Sequence, residues 1–190
     1  MCTSFYSEEE LKKIGLKEYG KGVKISKNTN LYSPENITIG DNVRIDDFCI
    51  LSGSIKLGSH IHIAAFCGFW GTHGITLDDF CNISSKVSIY SVSDSFHGDT
   101  LTNPTIPDKF KNIINGHVHL KKHVIIGAST VILPNICIET GCSIGACSLV
   151  NRSTDEWGIY AGIPAKRIKE RKKDLLVMEK KFLEEWNMQR

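Results

Sequence analysis

An aliphatic or aromatic residue returns at every sixth position through most of this chain, and few folds satisfy that spacing. Ile39, Ile45, Leu51, Leu57, Ile63 and Phe69 keep the interval. After a slip of two residues it resumes at Leu77, Ile83 and Ile89, and again from Leu120 through Ile126, Ile132, Ile138 and Ile144 to Val150. We denote each of these residues i. The residue after i is often Gly or acidic, as at Gly40, Asp46, Gly58, Gly127 and Glu139. Position i+4 lies two residues before the next i, so both face one side of an extended strand. Its occupants, such as Val43, Cys67, Val87, Thr130 and Ser148, are small or β-branched and suit a narrow interior. Positions i+2 and i+3 are left as turns.

A strand and a turn every six residues leave connections too short for a flat meander. Three such units, about eighteen residues, instead close a coil, and coils stack as a parallel β-helix. Roughly five or six coils at about 4.8 Å each give a prism about 30 Å long. Composition agrees: 24 Ile and 9 Val stand against 6 Ala among 190 residues. That excess favours pleated surfaces over a helical bundle.

The ends read differently. Ser7-Glu8-Glu9-Glu10 is a capping box opening a short helix through Ile14. From Asp174 to Trp186, Leu175, Met178, Phe182 and Trp186 fall on one helical face, suited to covering the β-helix or a neighbouring subunit. The chain thus divides into an N-terminal helical segment (1–21), the β-helix (22–169) with a loop at 94–117, and a C-terminal helix (170–190). Six of the eight residues from Lys166 to Lys173 are basic, which suggests a solvated helix face whose first one or two cations meet an anionic ligand.

Several classes are disfavoured. A net charge of +2 does not imply a nucleic-acid surface. No apolar run reaches the ~18 residues of a membrane span. Met1–Glu10 lacks the basic and apolar regions of a secretory signal. Seven cysteines, an odd number without a C-x-x-C, argue against a disulfide framework. A reduced, cytoplasmic protein is the expectation. Cys49, Cys67, Cys81 and Cys142 fall at i+4 and read as small core residues, while Cys137 and Cys147 read as more exposed.

From Asp94 to Gly116 the period fails, and loops of this length in compact domains are usually functional. Phe96, Ile106, Phe110 and two prolines point to an ordered, packed excursion. His97 is its one internal histidine, and an imidazole suits proton removal near neutral pH. His60 and His123 sit at i+3 corners and read as exposed turn residues; His62 and His119 point outward. The pairs His60-x-His62 and His117-x-His119 could each offer two rings to zinc.

The repeat, followed by Trp157-Gly158-Ile159-Tyr160-Ala161-Gly162-Ile163-Pro164-Ala165-Lys166, resembles the hexapeptide-repeat acyltransferases. The likeness covers about Gly22 to Lys169 and is greatest to the galactoside and maltose O-acetyltransferases and the O-acetyltransferases of polysaccharide synthesis. It implies an all-β solenoid, a left-handed parallel β-helix with one extruded loop and short terminal helices. It further implies a homotrimer whose sites lie between subunits, with acetyl-CoA as co-substrate and a sugar or nucleotide-sugar acceptor. No nucleic acid, membrane insertion or metal belongs to that picture.

Site residues follow from the same resemblance. The backbone N–H of Ala128, in Ile126-Gly127-Ala128, matches a donor to the thioester carbonyl. Ala146 matches a contact to the pantetheine arm; Asn151 and Lys166 match altered contacts, and Gly162 permits close approach. Ile125 replaces a pocket tryptophan, Lys86 stands where relatives carry an asparagine near the acceptor, and Asn103 is a further acceptor contact from the loop. The relatives' catalytic histidine falls at Asp94, and His97 aligns with their second histidine. The base is therefore His97, or Asp94, or a histidine from elsewhere. The expected reaction is direct attack of a sugar hydroxyl, or an amine, on acetyl-CoA. The alternatives are a zinc enzyme like the γ-class carbonic anhydrases, which share this fold, and a non-catalytic β-helix scaffold.

Overall fold

The computed structural model describes residues 4–188; Cys2 lies outside them. The chain is a parallel β-solenoid of about seven turns flanked by two helices, and its pairs stack in register. On the first face Lys24–Ile25, Arg44–Ile45, His62–Ile63, Asn82–Ile83, Ile125–Ile126, Ser143–Ile144 and Gly158–Ala161 follow one another. The second face begins at Asn30–Tyr32 and runs through Ser88–Tyr90 to Leu149–Val150. The third begins at Glu18–Tyr19 and passes through Ile37–Ile39 and Val118–Leu120 to Cys137–Ile138. Ile50–Leu57 and Gly68–Leu77 each span the second and third faces without a break.

Every i residue from Ile39 to Val150 is buried, and so is every i+4 residue that precedes the next i by two, including the four cysteines placed there. Each i stacks on the i of the next coil, as Ile45 on Ile63 and Ile63 on Ile83, so the core is a set of continuous columns. The i+3 residues take the left-handed conformation: Phe48, His60, Phe66, Phe80, Lys86, His123, Ser129, Asn135 and Cys147 all have positive φ. That conformation turns the strand direction at each corner.

The coil count exceeds the five or six expected. Tyr19, Ile25 and Leu31 already keep the six-residue interval and pack against the core, but two extra residues before Ile39 hide the continuity. The same cause explains the other interruptions. Two residues are inserted between Phe69 and Leu77, and the long loop between Ile89 and Leu120, always where the second face passes to the third.

Helix α1 (Glu8–Ile14) has its capping box: the Ser7 hydroxyl accepts the Glu10 N–H, and the Glu10 carboxylate accepts the Ser7 N–H. Helix α2 (Leu175–Met188) lies over the corner from the third face to the first. There His60, Phe80 and His123 stack as a column with centroids 4.9 and 5.2 Å apart. Phe182 and Trp186 meet His60 edge-on. His123 is therefore 8% exposed rather than a solvated turn, because α2 returns from the chain's far end to cover it. Glu179 fastens the helix, binding Lys122 at 2.5 Å and His123 at 2.8 Å.

The basic run also departs from its helical expectation. Lys166–Glu170 is a strand antiparallel to Gly158–Ala161, since the chain reverses at Gly162–Ala165. Arg171 then turns inward and donates to the carbonyls of His123, Gly141 and Cys142, and its burial lowers its pKa.

Two predictions follow from the packing. Ile144→Ala lowers stability by about 2–5 kcal/mol in urea melts, whereas neighbouring Ser143→Ala, on an outward position, costs less than about 1 kcal/mol. Burial alone would raise the Glu179 pKa, but its bonds to Lys122 and His123 hold it below the usual 4.5. A lowered carboxylate pKa stabilises docking above the unfolded value, and that contribution is lost as pH falls through the folded one. Trp186 fluorescence, with Trp186→Phe as blank, shifts below pH ~4.5 in the parent; in Glu179→Gln the shifted signal is already present at neutral pH.

Candidate active site

The corner from the first face to the second carries the residues expected to meet coenzyme A. Ile83, Ile126, Ile144 and Tyr160 stack in register, so Ser85, Ala128, Ala146 and Gly162 fall on one edge, each two residues beyond. Backbone geometry there frees one amide per coil. The Gly127 N–H donates along the axis to Ile144 O, and the Cys147 N–H to Ala128 O. The intervening amide, at Ala128 and again at Ala146, finds no acceptor among the described residues. Ala128 is half-buried and Ala146 exposed, and both carry only a methyl group. A row of outward N–H groups along a shallow edge suits an extended amide-bearing ligand and can oppose a developing oxyanion.

Gly127 keeps this edge tight. A Cβ on it would sit 2.4 Å from the Ala146 nitrogen, so only Gly lets the two coils approach. Lys86 projects from the left-handed i+3 position on the same edge, one residue after Ser85. Gly162, at φ +106°, is fixed by its N–H to the Ser148 hydroxyl and its carbonyl to the Leu149 N–H. Lys166 and Asn151 are exposed near the end of the solenoid.

The loop leaves from the opposite end of the second face. Its base is a two-stranded ribbon in which Val92 pairs with Asn115, Ser93 with Ile114 and Asp94 with Ile113. Ser91, fully buried, holds the root: its hydroxyl donates to Trp70 O and accepts the His73 N–H. Trp70 stacks on Tyr90 beside that root at 4.5 Å, while Phe69 is core.

Asp94 lines a cleft of about 330 Å³ with Thr72, Asn103, Lys111 and Ile113. Its carboxylate accepts the Asn103 N–H at 3.3 Å, and the Asn103 side chain is occupied by Thr105. Asn103 thus shapes the loop through a left-handed turn, φ 77°, and its backbone orients Asp94. His97 lies farther out, exposed, with its N–H on the Ser95 hydroxyl. Phe96 is 90% exposed and Phe110 is also exposed, so these aromatics do not pack within the chain as expected. A ribbon this narrow has no core of its own to receive them. Exposed apolar groups clustered on one excursion mark a contact surface.

The structure thus brings Ala128, Ala146, Gly162 and Lys86 to one edge, and Asp94 and Asn103 to one cleft. Within a single chain those two groups stand at opposite ends of a face. The outward histidines are engaged elsewhere, His62 with Asp46 at 2.8 Å and His119 with Asp78 at 2.9 Å. Among the described residues no group of three or more His, Cys, Asp and Glu is arranged to hold a metal ion. Lys111 was not singled out from sequence; its place beside Asp94 depends on a ribbon register that the residues alone do not reveal.

This fold is a parallel β-helix of six-residue repeats. No family model matches the chain. Over 182 residues it is 42% identical to the dTDP-4-amino-4,6-dideoxy-D-glucose acyltransferase of Escherichia coli, covering 94% of this chain and 95% of that one. Among solved structures, AntD, an N-acyltransferase from Bacillus cereus, in complex with dTDP and 3-hydroxybutyryl-CoA is 51% identical. Its TM-score is 0.97, covering 98% of this chain and 100% of that one. A serine-to-cysteine mutant of AntD, in complex with dTDP-4-amino-4,6-dideoxyglucose and coenzyme A, gives 50% identity and a TM-score of 0.96 over 97% and 100%. A maltose O-acetyltransferase from Clostridium difficile, 20% identical with a TM-score of 0.56 over 87% of this chain and 75% of that one, shares the fold alone. The chain belongs to the hexapeptide-repeat acyltransferase family and is an acyltransferase.

The loop root supplies one prediction. Ser91→Ala leaves the His73 N–H without its buried acceptor and costs about 1–3 kcal/mol. Hydrogen exchange accelerates first in residues 91–116, ahead of the coils.

Proposed function

We propose that this protein transfers an acyl group from a coenzyme A thioester to the 4-amino group of a dTDP-linked 4-amino-4,6-dideoxy sugar. The observation carrying this reading is the half-identity, over nearly the whole of both chains, with an enzyme solved with that sugar nucleotide and coenzyme A. Solved mutants of that enzyme change a serine and an aspartate numbered 84 and 94 there, the numbers of Ser84 and Asp94 here. The acceptor atom is then nitrogen, where the sequence-based expectation leaned to a hydroxyl. The zinc and scaffold alternatives find no comparable support.

The chemistry agrees with the residues. A hydroxyl needs a base near neutrality to become nucleophilic, and the galactoside enzymes meet that need with histidine. An amine attacks in its neutral form and sheds its proton as the bond forms, so a carboxylate suffices. Asp94, at that position in this chain, orients the amine and accepts its proton. The nitrogen–carbon bond forms, the carbon–sulfur bond breaks, and the proton passes to the departing thiolate. The Ala128 N–H faces the oxyanion that develops on the thioester carbonyl, while Ala146, Gly162, Asn151 and Lys166 receive the remainder of coenzyme A. Since loop and donor edge lie apart within one chain, a homotrimer in which Phe96 and Phe110 meet a neighbouring copy completes the site.

Steady-state assays with dTDP-4-amino-4,6-dideoxyglucose, comparing acetyl-CoA with 3-hydroxybutyryl-CoA, test the reading and identify the acyl group. Asp94→Asn lowers kcat by about 10²–10⁴-fold, the range of a lost general base. His97→Ala leaves kcat within about threefold, as a residue outside the chemistry does. A collapse of kcat in His97→Ala with a mild effect in Asp94→Asn reverses the assignment. Absence of turnover with any amino-sugar nucleotide refutes the function.

A further inference from the structure

The cleft beside Asp94 holds a second charge, of opposite sign, that the proposed chemistry does not use. Lys111 follows the 3-10 turn, two residues before Ile113, where the returning strand of the ribbon begins opposite Asp94, and it lines the same cleft. Asp94, Ile113 and Lys111 all face that cleft. The Lys111 side chain is only 11% exposed, and its ammonium pairs with Asp108 at 3.0 Å. Asp108 is itself 100% exposed, on a single turn of 3-10 helix at Asp108–Phe110. A nearly buried lysine normally has a buried carboxylate partner. This one is held at a cleft wall by a carboxylate free to swing into solvent. No ion pair joins it to Asp94 among the described residues, so the two charges stand apart across the cleft.

A ligand matched to that pair bears an amine, whose N–H a carboxylate accepts, at one end and an anion one sugar ring away. A nucleoside diphosphate amino sugar is built this way, its amine on the hexose and its diphosphate on the anomeric oxygen. We propose that Lys111 binds the diphosphate of the acceptor, displacing Asp108, while Asp94 meets the amine. The inference rests on the acceptor class given above and adds to it a residue that discriminates nucleotide-linked from free amino sugars. Lys111 acts on binding, and the bond-making atoms remain those of Asp94 and the thioester.

The test uses Lys111→Met, which keeps the packed stem, together with Lys111→Arg and Asp108→Asn, each checked for the parent's circular dichroism. Loss of a charge-assisted contact raises KM for dTDP-4-amino-4,6-dideoxyglucose, and Kd for dTDP by calorimetry, about 10–100-fold in Lys111→Met. In that variant kcat stays within about threefold of the parent, and KM for the acyl-CoA is unchanged. With the same amino sugar lacking its nucleotide diphosphate, parent and Lys111→Met perform alike. Lys111→Arg recovers most of the dTDP affinity, and Asp108→Asn tightens dTDP by removing its competitor. The inference is overturned if Lys111→Met keeps the dTDP Kd within about twofold, or if it penalises both acceptors equally. Should Lys111→Met fail to fold, unchanged or weaker dTDP binding in Asp108→Asn overturns it. A parent that acylates no nucleotide amino sugar defeats the acceptor class itself, a different failure from an active parent indifferent to Lys111.

Discussion

In-register stacking of identical backbone turns is the constraint on which every other feature depends. Each coil donates its ladder hydrogen bonds to the next at fixed spacing, so the Ile45, Ile63, Ile83, Ile126 and Ile144 side chains form one column. A residue out of register at any level would leave ladder groups unpaired and the column broken. Outward positions are free of that demand, and function is placed on them.

The three corners of the coil have diverged accordingly. One keeps the bare hexapeptide geometry, and its amides at Ala128 and Ala146 have no acceptor among the described residues. The second absorbs every insertion, from the pair of residues before Ile39 to the long ribbon carrying Asp94. The third carries the His60–Phe80–His123 column and is covered by α2. An insertion is tolerated at a corner because the chain can leave and re-enter there without disturbing the columns. The Ala128–Ala146 edge and the Asp94 cleft therefore occupy different corners of the coil.

Legibility from sequence followed the same division. The core was readable residue by residue, cysteines included, because an interior slot one side chain wide restricts both size and polarity. The capping box at Ser7 was readable because all its partners lie within one turn. Ala128 and Ala146 were singled out by resemblance to the family, and their spacing of three repeats puts them on one edge. His123 was misread as solvated because its cover, Glu179 on α2, lies 56 residues away. The basic run was misread as helical because a charge count does not register the reversal at Gly162–Ala165 that makes it a strand.

The sequence by itself determined the solenoid and its interior, both consequences of a local rule repeated every six residues. The tertiary structure alone decided what happens where the rule lapses. Only there do Asp94 and Lys111 come to line one cleft, and only there does α2 return to bury His123. A repeat carries its neighbours' positions in its own period, whereas a ribbon's register and a helix's docking site are fixed by contacts distant in the chain.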